Sequence, residues 1–144
     1  MELVVNSCVV FSVFKAESFT RNLFELLYLK GVKLIVPEYE LDELWSLGPR
    51  ICKYSGLNEN EFKIAFILLC EVLDVAPKSE YEKFLPEANK ISPHGKQIKD
   101  DPYFALAIAL NCPIWSDEKA FKQQGRVKVF NSKELSKLVG LEFS

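Results

Sequence analysis

Four groups of acidic or amide side chains stand next to apolar segments, where folding could gather them in one place. They are Asn6 with Ser7, the acids within residues 38–43, Asp100 with Asp101, and the segment 116–118. Clustered carboxylates repel one another strongly unless a divalent cation neutralises them. Oxygen ligands of this kind suit Mg²⁺ or Mn²⁺, which activate water and stabilise the leaving oxygen in phosphodiester hydrolysis. The residue types therefore predict a divalent-metal site, provided that the fold brings the groups together.

Structural roles explain the same side chains equally well one at a time. Asp101 precedes Pro102, which makes it a natural N-cap for the apolar helix that follows. Asp117 and Glu118 fit a turn after an apolar pair. Acids in the first turns of the helix after residue 37 favour its dipole. The spacing alone therefore leaves both interpretations open.

Helical periodicity selects among the acids of residues 38–43. On a helical wheel, Glu43 and Glu40 lie beside the apolar residue Leu44. Asp42 points further away. Periodicity therefore predicts Glu43 or Glu40 as the acid that this helix turns inward.

Strand patterns and helical patterns alternate along the chain. Short runs rich in apolar and β-branched residues predict strands at 3–5, 33–36, 113–115 and 127–130. Apolar residues at helical spacing predict helices after residues 37 and 132 and at 18–31, 58–75, 79–90 and 103–110. This alternation implies parallel β-α-β units, whose strand ends hold ligands where the strand order reverses. The prediction is one α/β domain over residues 1–144, an α/β/α sandwich with a central, mostly parallel sheet of four or five strands.

The patterns also assign individual side chains. Ser18 or Thr20 caps the first long helix, Gly31 ends it, and Ser132 caps the last helix. The helix at 103–110 is apolar nearly all round, which predicts deep burial. The helix at 58–75 is expected to face the core through Ile64, Ile67, Leu68 and Val72.

Bulk properties bound the function classes. The 144 residues carry a net charge of −2 with a pI near 5.5, so that no global basic field attracts nucleic acid. The four cysteines form no C-x-x-C pair, which predicts buried, reduced thiols rather than a zinc site. No signal peptide is visible, and no apolar run reaches the roughly 18 residues of a membrane span. A cytoplasmic protein that does not enter the membrane is expected.

Four short motifs, in order along the chain, resemble those of the PIN domain family. The run at 4–10 resembles the opening strand of PIN domains, which is followed by an Asp and then Ser or Thr. Val36-Pro37 with Glu43-Leu44 is similar to the second motif, and Asp100 with Ala105 and Ala107 to the third. The fourth motif is a strand followed by Ser or Thr, any residue, Asp, and Phe three residues later. It is matched by the segment 114–121.

Two positions depart from the family pattern. Asn6 stands where the family has its first Asp, and Glu118 stands at the fourth acidic position, with Asp117 one residue earlier. Glutamate still supplies a carboxylate. Asparagine lends a metal only a carbonyl oxygen and no charge, so that weaker metal binding is expected. Ser7 and Ser116 match the family's hydroxyl positions and are expected to hold metal-bound water or orient a carboxylate.

The resemblance implies a ribonuclease that depends on Mg²⁺ or Mn²⁺, similar to VapC-type toxins or to archaeal-style RNA-processing PIN proteins. Its implied metal ligands are Asn6, Glu43, Asp100, Asp117 and Glu118, of which the four acids are also the implied catalytic residues. Lys15, Lys99 and Lys119, with Arg21 and Lys96, are candidates for holding the RNA backbone. The resemblance also implies a homodimer and, for a toxin, a cognate antitoxin.

Two other functions fit parts of the pattern. A PIN fold that has lost cleavage and keeps RNA or protein contacts is favoured by Asn6. A phosphate-binding or receiver-like domain would need adjacent acids after the first strand, and this sequence lacks them. His94 lies in a Pro-Gly loop and is interpreted as a solvated surface residue rather than as a general base.

Overall fold

The computed structural model describes residues 1–93 and 98–140, and a five-stranded sheet forms their centre. His94 and Lys96, considered above, lie outside the described residues. The strands are β1 (Glu2–Val5), β2 (Lys33–Pro37), β3 (Asp74–Ala76), β4 (Ile114–Trp115) and β5 (Val129–Phe130). All pairings are parallel, and the strand order is β3-β2-β1-β4-β5.

Eight α-helices in the described part of the chain connect and cover these strands. They are α1 (Ser7–Val13), α2 (Phe19–Leu29), α3 (Tyr39–Ser46), α4 (Gly48–Ser55), α5 (Glu59–Val72), α6 (Leu85–Ile91), α7 (Asp101–Leu110) and α8 (Ser132–Leu138). The predicted α/β/α sandwich with a parallel sheet is confirmed, with five strands. Among the described residues, no helix is both long and apolar enough to cross a bilayer.

Successive side chains of β1 point into two separate cores, one on each face of the sheet. Leu3 and Val5 pack with α1, α2, α4 and α5 on one face. Val4 packs with α6 and α7 on the other. This alternation follows from the two-residue period of a strand, and it explains why the three buried residues of β1 are all apolar.

Helix α7 is the most deeply buried helix-forming segment, as its all-round apolar sequence predicts. Its residues from Tyr103 to Ala107 are at most 2% exposed. Pro102 occupies its first turn, where no backbone donor is lost. The helix contacts β1, β2 and β4, so that its N-terminus has a fixed position relative to the sheet.

The prediction for the buried face of α5 was wrong for three of its four residues, and only Val72 packs against the core. Ile64, Ile67 and Leu68 are 57–60% exposed, and the helix faces the core through Phe62 and Leu69 instead. The helix also ends at Val72, where the chain turns into β3. Apolar residues occur on both sides of this helix, so that the helical wheel could not tell which side is covered.

Three local predictions were also corrected. Asp101 is the first residue of α7 rather than its cap, and its carboxylate accepts a hydrogen bond from Asn89 Nδ2 at 2.8 Å. Asn131, not Ser132, caps α8 through a reciprocal capping box with Glu134. The segment predicted as one helix at 79–90 contains two short 3-10 turns before α6. The four cysteines are free thiols as expected, but Cys8 is exposed and the other three are only half-buried.

Candidate metal-dependent active site

The strand order reverses at β1, because the chain adds β2 and β3 on one side of it and β4 and β5 on the other. The carboxyl ends of β1 and β4 therefore form the edge where such sheets bind ligands. Asn6 lies at this point. Its backbone N–H donates to the Trp115 carbonyl at 3.0 Å, and its carbonyl accepts from the first turn of α1.

The Asn6 side chain is fully buried in a neutral hydrogen-bond network. Its Nδ2 donates to Ser116 Oγ at 2.7 Å, and its Oδ1 accepts from the Ser7 hydroxyl at 3.1 Å. Ser116 Oγ also accepts from the backbone N–H of Glu118 at 3.1 Å. Asn6, Ser7 and Ser116 are thus brought together as predicted, and they connect the ends of β1 and β4.

Asp117 and Glu118 point to different places. Both carboxylate oxygens of Asp117 are engaged by Ser132, at 2.7 Å from its backbone N–H and 2.6 Å from its hydroxyl. Asp117 therefore anchors the start of α8. Glu118 Oε1 instead accepts from the Cys8 thiol at 3.0 Å, which places this carboxylate beside α1 and near Asn6.

Helix α3 buries Glu40 rather than Glu43. Glu40 is fully buried, and its Oε2 accepts a hydrogen bond from the Tyr103 hydroxyl on α7. Its Oε1 is also buried and has no hydrogen-bond partner among the described residues. Burial raises the pKa of the Glu40 carboxyl to about 8; the hydrogen bond from Tyr103 lowers it, and the negative charge of Glu43 raises it further.

Glu43 lies half-buried one turn along α3. Asp100 is buried at the start of α7, and the neighbouring Lys99 carbonyl accepts a hydrogen bond from the Tyr39 hydroxyl. Burial raises the pKa of Tyr39, and the charges of Glu40, Glu43 and Asp100 raise it further. The acids of α3 and Asp100 therefore lie close enough to Tyr39 to act on the same phenol.

The Cys8 thiol, at the start of α1, also lies near these acids. Although the residue as a whole is exposed, its sulfur faces the acids. The loss of solvation there raises the pKa of the thiol to about 12. The hydrogen bond and charge of Glu118 raise this pKa further, and so do the charges of Asp100 and Glu40. Glu118, in the loop after β4, is thus hydrogen-bonded to Cys8 near the end of β1, and Glu40 on α3 and Asp100 at the start of α7 are near enough for their charges to act on the same thiol.

A sequence model of the PIN domain matches residues 4–138, which is almost the whole chain. The chain belongs to the PIN domain family. No curated protein sequence matches it. PIN domains are in general metal-dependent nuclease folds that use divalent cations. The acidic edge described above lies where this fold places its ligands.

The donor set fits a divalent cation in its chemistry. Its members are hard oxygen atoms, and Glu40 Oε1 is a buried acceptor without a hydrogen bond among the described residues. Within residues 1–93 and 98–140, however, no three His, Cys, Asp or Glu side chains form a ready-made ligand group. Neutral contacts hold the potential ligands instead, such as Cys8 on Glu118 and Tyr103 on Glu40.

The described basic residues among those predicted to hold RNA lie on different segments of the chain. Lys15 lies over the Tyr54 ring, with its Nζ 5.3 Å from the ring centroid. Arg21 pairs with Glu25 on α2. Lys99 and Lys119 are both exposed, next to Asp100 and Glu118 respectively.

Sequence reasoning missed Tyr103, Tyr39 and Cys8 as parts of this edge. Tyr103 was assigned to the core helix only, although a tyrosine in an otherwise apolar helix signals that its hydroxyl needs a partner. Cys8 was assigned to the core, and its position directly after Asn6-Ser7 was the available signal.

Proposed function

We propose that this PIN domain is a divalent-metal-dependent endoribonuclease, with activity limited by Asn6. The observation that carries the proposal is the hydrogen bond between Asn6 and Ser116, which joins the carboxyl ends of β1 and β4 where the strand order reverses. Glu118 is held beside this point by the Cys8 thiol at 3.0 Å, and the buried acids Glu40 and Asp100 are near enough for their charges to act on the same thiol.

We assign different roles at this site to different residues of the chain. The carboxylates of Glu43, Asp100 and Glu118 would hold Mg²⁺ or Mn²⁺, together with Glu40 and the carbonyl oxygen of Asn6. Such an ion supplies Lewis-acid activation of water and charge stabilisation for the phosphodiester. Tyr103 fixes the Glu40 carboxylate, and Ser116 fixes Asn6. We assign Asp117 to anchoring α8 rather than to metal binding, because both of its oxygens are engaged by Ser132.

Asn6 sets the expected strength of this activity. The Asn6 side chain is neutral. A cation at this edge therefore meets one negative charge fewer than it would in a site with Asp at the same position. The surrounding network accommodates either residue, because the Ser116 hydroxyl can accept from an amide or donate to a carboxylate. Restoring the acid should therefore change charge without changing the fold.

The test compares the present chain with Asn6→Asp in a manganese titration, with cleavage of single-stranded RNA measured in parallel. Asn6→Asp is expected to bind Mn²⁺ more tightly and to cleave faster. Asn60→Asp, the same change at an exposed position on α5, is the matched control and should change neither. Chelator and Asp100→Asn should each abolish cleavage. If neither the chain nor Asn6→Asp binds Mn²⁺ or cuts RNA, the nuclease proposal is wrong.

A cleavage-impaired RNA- or protein-binding PIN domain is the second candidate. The observation that favours it is the Asn6 network itself, whose hydrogen bonds to Ser7 and Ser116 are made without any charge for a metal to neutralise. Under this proposal the chain binds RNA or a protein equally well with and without Mn²⁺.

We further propose a VapC-type toxin that acts on RNA as a homodimer and is controlled by a cognate antitoxin. The support is the order and spacing of the four motifs over a chain of 144 residues. Growth arrest on expression, relieved by a protein encoded beside this one, tests the toxin role. Light scattering of the purified chain tests the dimer.

A further inference from the structure

Two aromatic and two basic side chains lie on helix α1, on the bend just after it and on helix α4. The Phe11 and Tyr54 rings lie 5.2 Å apart between centroids, at 42° to each other. Lys15 Nζ lies 5.3 Å from the Tyr54 ring centroid. Arg50 is exposed one helical turn before Tyr54, so that the two share a face of α4. These four residues are called the aromatic-basic strip.

The strip starts at the acidic edge. Cys8 and Phe11 are three residues apart, which places them on one side of α1, and Lys15 lies in the bend just after this helix. Cys8 donates to Glu118, so that this side of the helix begins at the carboxylates.

The local charge differs from that of the whole protein. The chain carries a net charge of −2, but neither α1 nor α4 contains an acidic residue. Helix α4 contributes Arg50 and Lys53, both exposed. The charged residues that these two helices contribute are therefore all basic, although the protein as a whole is not.

The Phe11 and Tyr54 rings differ in their exposure to solvent. Phe11 is partly buried against the core. Tyr54 is 38% exposed and rests on Phe11, so that its ring is supported from one side. Proteins that bind single strands combine basic surfaces with supported aromatic rings on which bases stack. Stacked bases inside a duplex are not available to such a ring.

We propose that the aromatic-basic strip binds single-stranded nucleic acid. One base stacks on Tyr54 in place of the Lys15 ammonium, which moves from the ring to one flanking phosphate, and Arg50 contacts the other. The inference rests on the proposed nuclease function in one respect, since the strip would guide the strand toward the acids at Glu118. Binding itself requires neither metal nor cleavage, so that it can be tested separately.

The experiment measures fluorescence anisotropy of a labelled 12-nucleotide RNA in EDTA, with the same sequence as single-stranded DNA and as a duplex. Tyr54→Leu keeps apolar packing on Phe11 and removes the aromatic face. It is expected to weaken single-strand binding about 5- to 100-fold, the range for loss of one stacked base. Tyr28→Leu, on an exposed tyrosine of α2, is the matched control and should leave binding unchanged.

Further variants separate stacking from general damage. Tyr54→Phe retains the ring and should bind like the unmodified chain. Lys15→Gln should weaken binding and reduce its dependence on salt. Equal losses for RNA and DNA single strands with Tyr54→Leu support the strip. Unchanged binding by Tyr54→Leu, or an equal loss for the duplex and for Tyr28→Leu, overturns it. Single-strand binding in EDTA, together with no cleavage by either the chain or Asn6→Asp in Mn²⁺, would refute the nuclease proposal and leave the strip standing.

Discussion

Replacing Glu40 by glutamine should remove a large part of the pH dependence of folding. Glu40 is fully buried, and glutamine keeps an oxygen that can accept the hydrogen bond from Tyr103. The variant therefore changes the ability to ionise and little else. Its effect on stability reports directly on the buried carboxyl.

The sign and the size of the change in stability with pH follow from the shift of the Glu40 pKa. Burial first of all, with the charge of Glu43, raises the pKa of Glu40 from 4.5 to about 8. The folded state thus holds this proton more tightly than the unfolded state, so that stability is greatest below pH 4.5 and falls as the pH rises toward 8. One pKa unit corresponds to about 1.4 kcal/mol. Between pH 4 and pH 7 the carboxyl ionises in the unfolded state but stays protonated in the folded state, so that the fold loses on the order of 3 kcal/mol of stability.

The assay is urea unfolding of both proteins from pH 4 to pH 9 with chelator present, so that no cation neutralises the carboxylate. At pH 4 the two free energies of unfolding should agree. At pH 7 Glu40→Gln should be more stable by about 3 kcal/mol. Asp42→Asn, an exposed change on the same helix, controls for loss of a charge and should show no such divergence. A constant difference between the two proteins at all pH values would refute the argument.

Two further variants test the scaffold. Ala107→Leu inserts a larger side chain into fully packed α7 and should cost about 1–3 kcal/mol in the free energy of unfolding; unchanged thermal stability would contradict its burial. Asp117→Ala removes two hydrogen bonds to Ser132 and should cost about 1–3 kcal/mol. Manganese affinity should be unchanged in Asp117→Ala, and a marked loss would show that Asp117 is a ligand after all.

The sheet could be predicted well because short β-branched runs in a parallel sheet are apolar on both faces. β1, β2 and β4 were all recognised from this pattern. The same argument failed for α5, because Ile64 and Ile67 lie opposite Phe62 and Leu69 on a helix that is apolar on both sides. Helical periodicity identifies the buried face of a helix only when one side is clearly more apolar than the other. On α5 this difference is small.

Only the part of the acidic edge that depends on the order and direction of the strands could be predicted from the sequence. Parallel strands place the residues after β1 and β4 at one edge, so that Asn6 and Ser116 were expected to meet, and they do. The choice between Asp117 and Glu118 depends on the backbone direction of one loop, which two adjacent acids do not reveal. The pairing of Glu40 with Tyr103 joins residues 63 positions apart and required the packing of α3 on α7.

The hydrogen bond between Asn6 and Ser116 spans 110 residues of sequence, and this separation governs when the edge can form. During synthesis, β1 leaves the ribosome long before β4 exists, and at 5–20 residues per second the wait is about 5 to 20 s. Until then the central strand of the sheet has no β4 neighbour, and the carboxylates at its end have not met. Contacts of such long range also slow folding. A nascent chain therefore lacks the contact between Asn6 and Ser116 until β4 has been made, and any product truncated before residue 114 never forms it.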